Sequence, residues 1–418
     1  MTGTDRPCPI CGGAETTAAF EIRSVPTHTV VVYRDRVAAE AAQTGDMRLV
    51  CCRSCGFVFN RSFDPGMLHY RYDYESTQAF SEHFNTFSKK LAAEILAQVP
   101  STEKPLLEIG CGQGEFLQLL EAGGHRNLTG FDPAFDPERS AVGADSRIRI
   151  FAEEFTPARA TEPPTAIVCK MTLEHIGDPI GFLQDIAAVA NQSSDCTVLL
   201  QVPNAAEIFR NGAFWDVYYE HCNYFTVSTL TGLLTRAGLY PLDQRTGFDA
   251  QYLLVTARSG SGQLTGEKRR PDDAVAAFGT FLAKAKSMIA AWDERMHEFD
   301  RAGKSVALWG AGSKAVAFLS ALENPSAIKY AIDINPRKSA SYLPKSGLKV
   351  VSPAMAGTKP PDVIIVMNPT YFPEIRRCCT LFGVRAVMLP IFENGKPRGA
   401  RGLTDGHGGE NLRRSGYA

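Results

Sequence analysis

The run Pro105-Leu-Leu-Glu-Ile-Gly-Cys-Gly-Gln-Gly114 constrains the fold more than any other stretch of the chain. Leu106 to Ile109 is a short apolar run suited to a buried strand, and Phe116 to Leu120 resumes at helical spacing after the glycines. Strand, glycine turn and helix together bring backbone N–H groups against a bound cofactor, and a Cβ at the turn would block that approach. Further along, Leu128-Thr-Gly-Phe-Asp132 reads as a second strand ending in an acid. A carboxylate there can accept two hydrogen bonds from a ribose diol.

The glycine spacing is Glu-x-Gly-x-Gly-x-Gly, not the Gly-x-Gly-x-x-Gly of dinucleotide enzymes. Running from Glu108 through Gly110, Gly112 and Gly114, it resembles motif I of class I S-adenosylmethionine (SAM) methyltransferases, which implies SAM as cofactor. The pattern continues with strands at 147–151, 166–170 and 197–202 and a helix at 179–190. This alternation predicts a doubly wound parallel sheet, with 251–256 as a closing strand. Ligands in such sheets sit at the carboxyl ends of the strands. That rule gathers Glu108, Asp132, Lys170, Met171, Glu174, His175 and Asn204 around one site.

At 418 residues the chain should hold two or three domains. Lys plus Arg is 44 and Asp plus Glu 45, a balance that argues against nucleic acid or an anionic membrane surface as partner. The first residues lack the charged and apolar regions of a signal peptide, and no uninterrupted apolar run is long enough to cross a bilayer, so a cytoplasmic chain acting on a small molecule is expected. Four of the eleven cysteines form two knuckles, Cys8-x-x-Cys11 and Cys52-x-x-Cys55. Four thiolates on two tight turns suit a closed, structural Zn²⁺ site, with Cys51 a poorer match to the spacing than Cys52.

Tyr70, Tyr72 and Tyr74 lie on an expected loop leading into a helix near 85–98, where they either roof a substrate pocket or pack a domain boundary. The stretch from Phe214 to Thr226 is the densest mixture of aromatic and titratable groups, with Tyr218, Glu220, His221 and Tyr224 in one expected loop. A histidine beside a carboxylate is a candidate general base, since its ordinary pKa lies near neutrality. Ser259 to Arg270 reads as a linker, and 272–301 as an amphipathic helix carrying Val275, Phe278, Phe281, Leu282, Ala285, Ile289 and Trp292. Val306-Ala-Leu-Trp-Gly-Ala-Gly-Ser-Lys314 repeats the strand–glycine–helix plan, so Gly310, Gly312 and Lys314 are candidates for holding substrate. The tail beyond Asn394 is rich in glycine and arginine and reads as disordered.

Taken in order, these motifs resemble the three-part SAM-dependent sugar C-methyltransferases across nearly the whole chain. The resemblance rests on the paired cysteine knuckles, the Glu108–Gly114 turn, Tyr218-Tyr-Glu-His221 and Gly310-Ala-Gly-Ser-Lys314. It implies a zinc-binding domain (1–66), a class I methyltransferase core (67–260), a linker with a helix (261–302), a second Rossmann-like domain (303–394) and a tail (395–418). It also implies methylation of a carbon next to the ketone of a nucleotide-linked deoxysugar. His221 would be the base, Tyr218 and Glu220 would orient it or the sugar, and a tyrosine such as Tyr72 or Tyr74 would face the substrate. Met171 stands where members carry an asparagine, which leaves Lys170 or a tyrosine hydroxyl to stabilise the enolate. The competing expectations are an O- or N-methyltransferase of a small metabolite and a non-catalytic SAM-binding scaffold.

Overall fold

The computed structural model describes residues 6–70, 73–140, 142–143, 145–260 and 270–392. The expected tail, nearly all of the expected linker, and Tyr72 lie outside these residues. In chain order the strands are β1 (Phe20–Pro26), β2 (Thr44–Cys51), β3 (Val58–Asn60), β4 (Leu106–Ile109), β5 (Leu128–Phe131) and β6 (Ile148–Phe151). They continue with β7 (Ala166–Lys170), β8 (Thr197–Pro203), β9 (Asn223–Tyr224), β10 (Leu239–Gly247) and β11 (Tyr252–Ser259). The last five are β12 (Val306–Trp309), β13 (Ile328–Ile332), β14 (Val350–Val351), β15 (Val363–Val366) and β16 (Val387–Pro390).

These form three sheets, ordered β1-β2-β3-β9, β10-β11-β8-β7-β4-β5-β6 and β14-β13-β12-β15-β16. The central sheet is mixed, which corrects the expectation of a parallel one: β8 to β6 run parallel, but β11 is antiparallel to β8 and β10 to β11. The reason is local. The turn Phe248–Ala250 reverses the chain directly, with three successive residues at positive φ (52°, 52° and 62°), so no crossover helix intervenes. In both larger sheets the strand before the glycine turn is an interior one, flanked on both sides by parallel neighbours, and a crevice opens at their carboxyl ends.

The long helix Pro271–Arg301 contains an 18-residue window of mean hydropathy 1.3, long and apolar enough to cross a membrane by length and composition alone, contrary to the expectation that no run reaches bilayer length. Here its stripe of Phe278, Phe281, Ala285, Met288, Trp292 and Met296 is buried in a core shared with the first and third sheets, while Lys284 and Lys286 stay exposed. The Trp292 indole N–H donates to Ile391 O at 3.2 Å, so its one polar atom is satisfied.

The first sheet is not self-contained. Its fourth strand, β9, comes from the segment just after His221, and Val58 and Phe59 pair with Tyr224 and Asn223. The third sheet's unit is fastened by polar contacts at its rim. Glu374 accepts from the Ser81 hydroxyl (2.7 Å) and the Glu82 N–H (3.0 Å), and Asn335 donates to Glu75 (3.1 Å). Gln251 bonds Thr370 (2.7 Å) and Asn368 (2.9 Å). The three units close around one cavity of about 1220 Å³.

Candidate active site

The glycine turn opens the cavity's floor. Gly110, Gly112 and Gly114 all have positive φ (73°, 57° and 86°), a region glycine alone enters without cost. A Cβ at Gly110 would collide with the Thr172 hydroxyl, whereas one at Gly112 would meet nothing closer than Glu115 Oε2 at 3.7 Å. Space over Gly112 is therefore open to a ligand. Four of the turn's N–H groups are engaged within the protein itself. The N–H groups of Gly110 and Cys111 donate to Phe131 O (2.8 and 3.2 Å), that of Gly112 to Asp132 Oδ2 (2.8 Å), and that of Gly114 to Cys111 O (3.0 Å). The turn is a close-approach surface with the N–H groups of Gly110, Cys111 and Gly112 spent on Phe131 and Asp132.

Asp132 directly follows β5 and lines the cavity. Its two oxygens each accept one backbone N–H, from Gly112 and Ala134, both at 2.8 Å, which fixes the carboxylate while leaving a second lone pair on each oxygen. Burial raises its pKa and those two N–H groups pull it back. Glu108 and Gly114 do not line the cavity. Glu108 is buried behind the turn, where Lys170 Nζ faces its Oε1 at 3.4 Å and lies 3.4 Å from the centre of the Phe116 ring. Burial pushes the Glu108 carboxyl up to about 7 against the pull of Lys170, and lowers Lys170. Lys170 lines the cavity with its ammonium already engaged by Glu108 and the Phe116 ring.

Met171 lines the cavity at φ 52°, and its N–H donates to Gln201 O at 2.8 Å. Asn204 also lines it. Its amide donates to Ala250 O (2.9 Å), while its Oδ1 is buried with no hydrogen-bond partner among the described residues. Tyr224 does not reach the cavity; it is a core residue on β9.

The second half of the cavity carries the histidines. The turn that holds Tyr218, Glu220 and His221 is closed by the His221 N–H donating to Tyr218 O at 3.1 Å, so the two neighbouring side chains part company. Glu220 does not face His221. It is fully buried and accepts from the Thr29 N–H (3.0 Å), the Thr29 hydroxyl and the Tyr74 hydroxyl (2.9 Å), with His28 Nδ1 at 3.6 Å. Burial alone would raise this carboxyl, but His28, His175 and Thr29 together hold it below the usual carboxylate range. His28 and Thr29 come from the cysteine-bearing unit and were missed in the sequence, where nothing marks them as partners of a residue 191 positions away.

His221 is boxed in. The Tyr218 ring lies 4.1 Å away, centre to centre, and the His175 ring 4.7 Å, edge-on. Its Nε2 faces Glu174 Oε1 at 4.0 Å. Burial, His175 and Lys314 drive the imidazole well below its ordinary pKa. His175 Nδ1 shares a proton with the Tyr70 hydroxyl at 2.8 Å, and burial lowers its pKa too. The Tyr218 phenol is pushed well up by burial and nearby acids, so it stays a donor.

The third unit repeats the first turn in a second copy. The Gly310 N–H donates to Ile332 O (2.8 Å), as Gly110 does to Phe131, and the Ala311 N–H donates to Asp333 Oδ2 (2.8 Å), as Gly112 does to Asp132. Asp333 Oδ1 accepts the Asn335 N–H (2.8 Å), the counterpart of Ala134. Gly310, Gly312 and Lys314 line the cavity, with Lys314 paired to Asp216 and Lys338 3.9 Å from Asp333.

The cysteines converge away from this cavity. Sγ of Cys8 and Cys55 are 3.6 Å apart and those of Cys11 and Cys52 3.5 Å, far beyond disulfide bonding. A tetrahedral ion with thiolates at about 2.3 Å has edges of about 3.8 Å, so the donor set fits zinc. The knuckles match each other: the Gly12 N–H donates to Cys8 O and the Gly56 N–H to Cys52 O, both at 2.9 Å, and both glycines have positive φ. Cys51 stands outside the cluster.

Against known proteins, a methyltransferase domain family matches residues 80–244 and a C-methyltransferase C-terminal domain family matches residues 261–383. The chain is similar to the C-methyltransferase NovU of Streptomyces niveus, 25% identical over 349 residues that cover 78% of this chain and 81% of that protein. Among solved structures it is similar to a Burkholderia thailandensis 1,6-didemethyltoxoflavin-N1-methyltransferase with TM-score 0.34, 19% identity and coverage of 49% of this chain and 96% of that one. It is also similar to the magnesium protoporphyrin IX methyltransferase ChlM of Synechocystis PCC 6803, with TM-score 0.34, 12% identity and coverage of 43% and 84%. Likeness at such TM-scores has no bearing on the site.

Proposed function

We propose, from the premise that this chain is a SAM-dependent methyltransferase carrying the C-methyltransferase C-terminal domain, that it methylates a carbon next to the ketone of a nucleotide-linked deoxysugar. One observation carries the reading: a single cavity runs from Asp132 and Met171, past His221, to the second glycine turn at Gly310 and Gly312. At about 1220 Å³ it exceeds the roughly 300–1,000 Å³ of a pocket for one small ligand, so two extended ligands fit end to end.

The open space over Gly112 and the outward lone pairs of Asp132 suit an adenosine, with Asp132 accepting from its ribose hydroxyls. Bound SAM would supply a methyl group already activated on a sulfonium. What the chain must supply is a reactive carbon. His221, neutral at physiological pH because of its surroundings, takes a proton α to the ketone. The Tyr218 hydroxyl, next to it, donates to the oxygen on which charge develops. Glu220 holds Tyr74 and the His28–Thr29 segment as the roof, rather than orienting the base. The sugar's nucleotide would lie along Gly310–Lys314, where a diphosphate competes with Asp216 for Lys314. Zinc, held by Cys8, Cys11, Cys52 and Cys55, has a structural role.

The test is incubation with SAM and a panel of nucleotide 4-keto sugars. The expected result is a mass gain of one methyl group and exchange of the α-hydrogen for deuterium in the absence of SAM. His221→Ala should abolish that exchange; its survival would remove His221 from the role. Turnover of a substrate with no ketone would instead favour O- or N-methylation.

A further inference from the structure

Glu174 is a side chain for which the reaction so far has no use. It sits on the short helical turn Leu173–His175, is fully buried, and neither carboxyl oxygen has a hydrogen-bond partner among the described residues. A carboxyl in that position is costly unless it carries a proton or exchanges one. On the cavity side it meets the imidazoles of His221, with Nε2 4.0 Å from Oε1, and of His175, the three side chains bringing donor atoms within 4.8 Å of one another. Glu174 and His221 are held in register by hydrogen bonds between their segments: the Cys222 backbone N–H donates to Glu174 O at 2.9 Å, and the Asn223 side-chain amide to Ile176 O at 2.7 Å.

We propose that Glu174 is a positioning residue that exchanges a proton with His221 Nε2, so that the pair, and not the imidazole alone, takes up the proton from substrate carbon. This rests on the base role given to His221 above. The step balances as follows. The C–H bond breaks and its electron pair passes into the enolate, while a new N–H bond forms at Nδ1. The Nε2–H bond breaks and its proton forms an O–H bond on Glu174. The imidazole ends neutral, and the buried pocket never holds an imidazolium beside His175 and Lys314.

The pair must first be free of the extra proton. With Glu174 protonated and the pair drawn in from 4.0 Å to hydrogen-bonding distance, its O–H donates to Nε2, the ring proton sits on Nδ1, and His221 faces the cavity as a donor that accepts nothing. Exchange should therefore rise with pH until the pair has lost that proton. Burial places the carboxyl at about 8, so the limb falls near there. The other titratable groups facing the pair are His175, Tyr218 and Lys314 on the His221 side and Cys169 and Cys222 on the Glu174 side.

The experiment compares wild type, Glu174→Gln and Glu174→Asp by α-hydrogen exchange on a nucleotide 4-keto sugar from pH 6 to 9.5. In parallel, ¹⁵N-histidine NMR of the sugar-free protein is recorded, with His221→Asn assigning the signal and S-adenosylhomocysteine affinity checking the fold. The glutamine variant should lose exchange about 100-fold and lose the rising limb, and the aspartate should recover part of both. The His221 tautomer should change across the limb in wild type and stay fixed in Glu174→Gln. A glutamine variant within threefold of wild type, with an unmoved limb and the same tautomer change, overturns the proposal. So does a second divalent ion per chain that the glutamine variant loses. Absence of exchange in wild type would count against the substrate reading, and the NMR arm would still decide the pairing.

Discussion

Removing the Glu220 carboxylate separates a scaffold role from a catalytic one. Glu220→Ala leaves three buried donors facing a void: the Thr29 N–H, the Thr29 hydroxyl and the Tyr74 hydroxyl. Each unsatisfied buried donor costs about 1–3 kcal/mol, and partial re-pairing keeps the sum near the roughly 3–5 kcal/mol typical of breaking a buried charged network. At about 2–4 °C per kcal/mol, the melting temperature of the unit should drop by roughly 6–20 °C, and Glu220→Gln, which keeps acceptor geometry without the charge, should fall between. The pH dependence has a definite sign. The folded-state carboxyl is held below its ordinary 4.5, so the stabilisation is present above that value and is lost as pH falls below it. The alanine variant should lack that acid sensitivity. Calorimetry across pH 3 to 7 with exchange kinetics on the same samples is the assay. A Glu220→Ala protein that melts with wild type and yet loses turnover would refute the reasoning, because the carboxylate would then serve chemistry and not cohesion.

Asp132→Ala should weaken S-adenosylhomocysteine binding by about 100-fold or more in titration calorimetry, since hydrogen bonds to a charged acceptor are worth about 1.5–3 kcal/mol each. Purified protein should carry one zinc per chain. Stripping it removes a term of about 10–16 kcal/mol in small zinc modules, so methyl transfer should vanish while S-adenosylhomocysteine binding persists, as read by metal analysis and calorimetry. Glu174, raised to about 8 from 4.5, adds stability fully present below pH 4.5 and lost as pH climbs through 8. Denaturant titrations of the ligand-free protein should thus show wild type losing ground to Glu174→Gln between pH 4.5 and 8.

The elements legible in sequence were those with strong local signatures. The run Leu106–Ile109 is entirely buried as expected of an apolar strand between glycine turn and loop, and Pro179–Ala190 begins at an Asp178 cap with proline in its first turn. The antiparallel direction of β10 and β11 was not legible, because a turn with three left-handed non-glycine residues has no sequence mark. The partners of Glu220 escaped for a different reason. Sequence adjacency made His221 look like its partner, but a tight turn sends consecutive side chains apart, and the residues that meet them arrive from 28, 29 and 74 on one side and 174 on the other. Spacing conveys which residues share an element, not which elements share a cavity.

The β-pairing of Val58–Phe59 with Asn223–Tyr224 carries a consequence for how this chain can be cut and how it matures. The amino-terminal unit leaves the ribosome early, yet its outermost ladder stays unmatched until a segment from far downstream arrives. Expressed by itself it would present a bare rim carrying Val58 and Phe59, the kind of surface on which other chains nucleate. Dissecting the protein at its compositional seams is therefore the wrong experiment: the fragment most easily recognised from its cysteines is the one least able to stand apart.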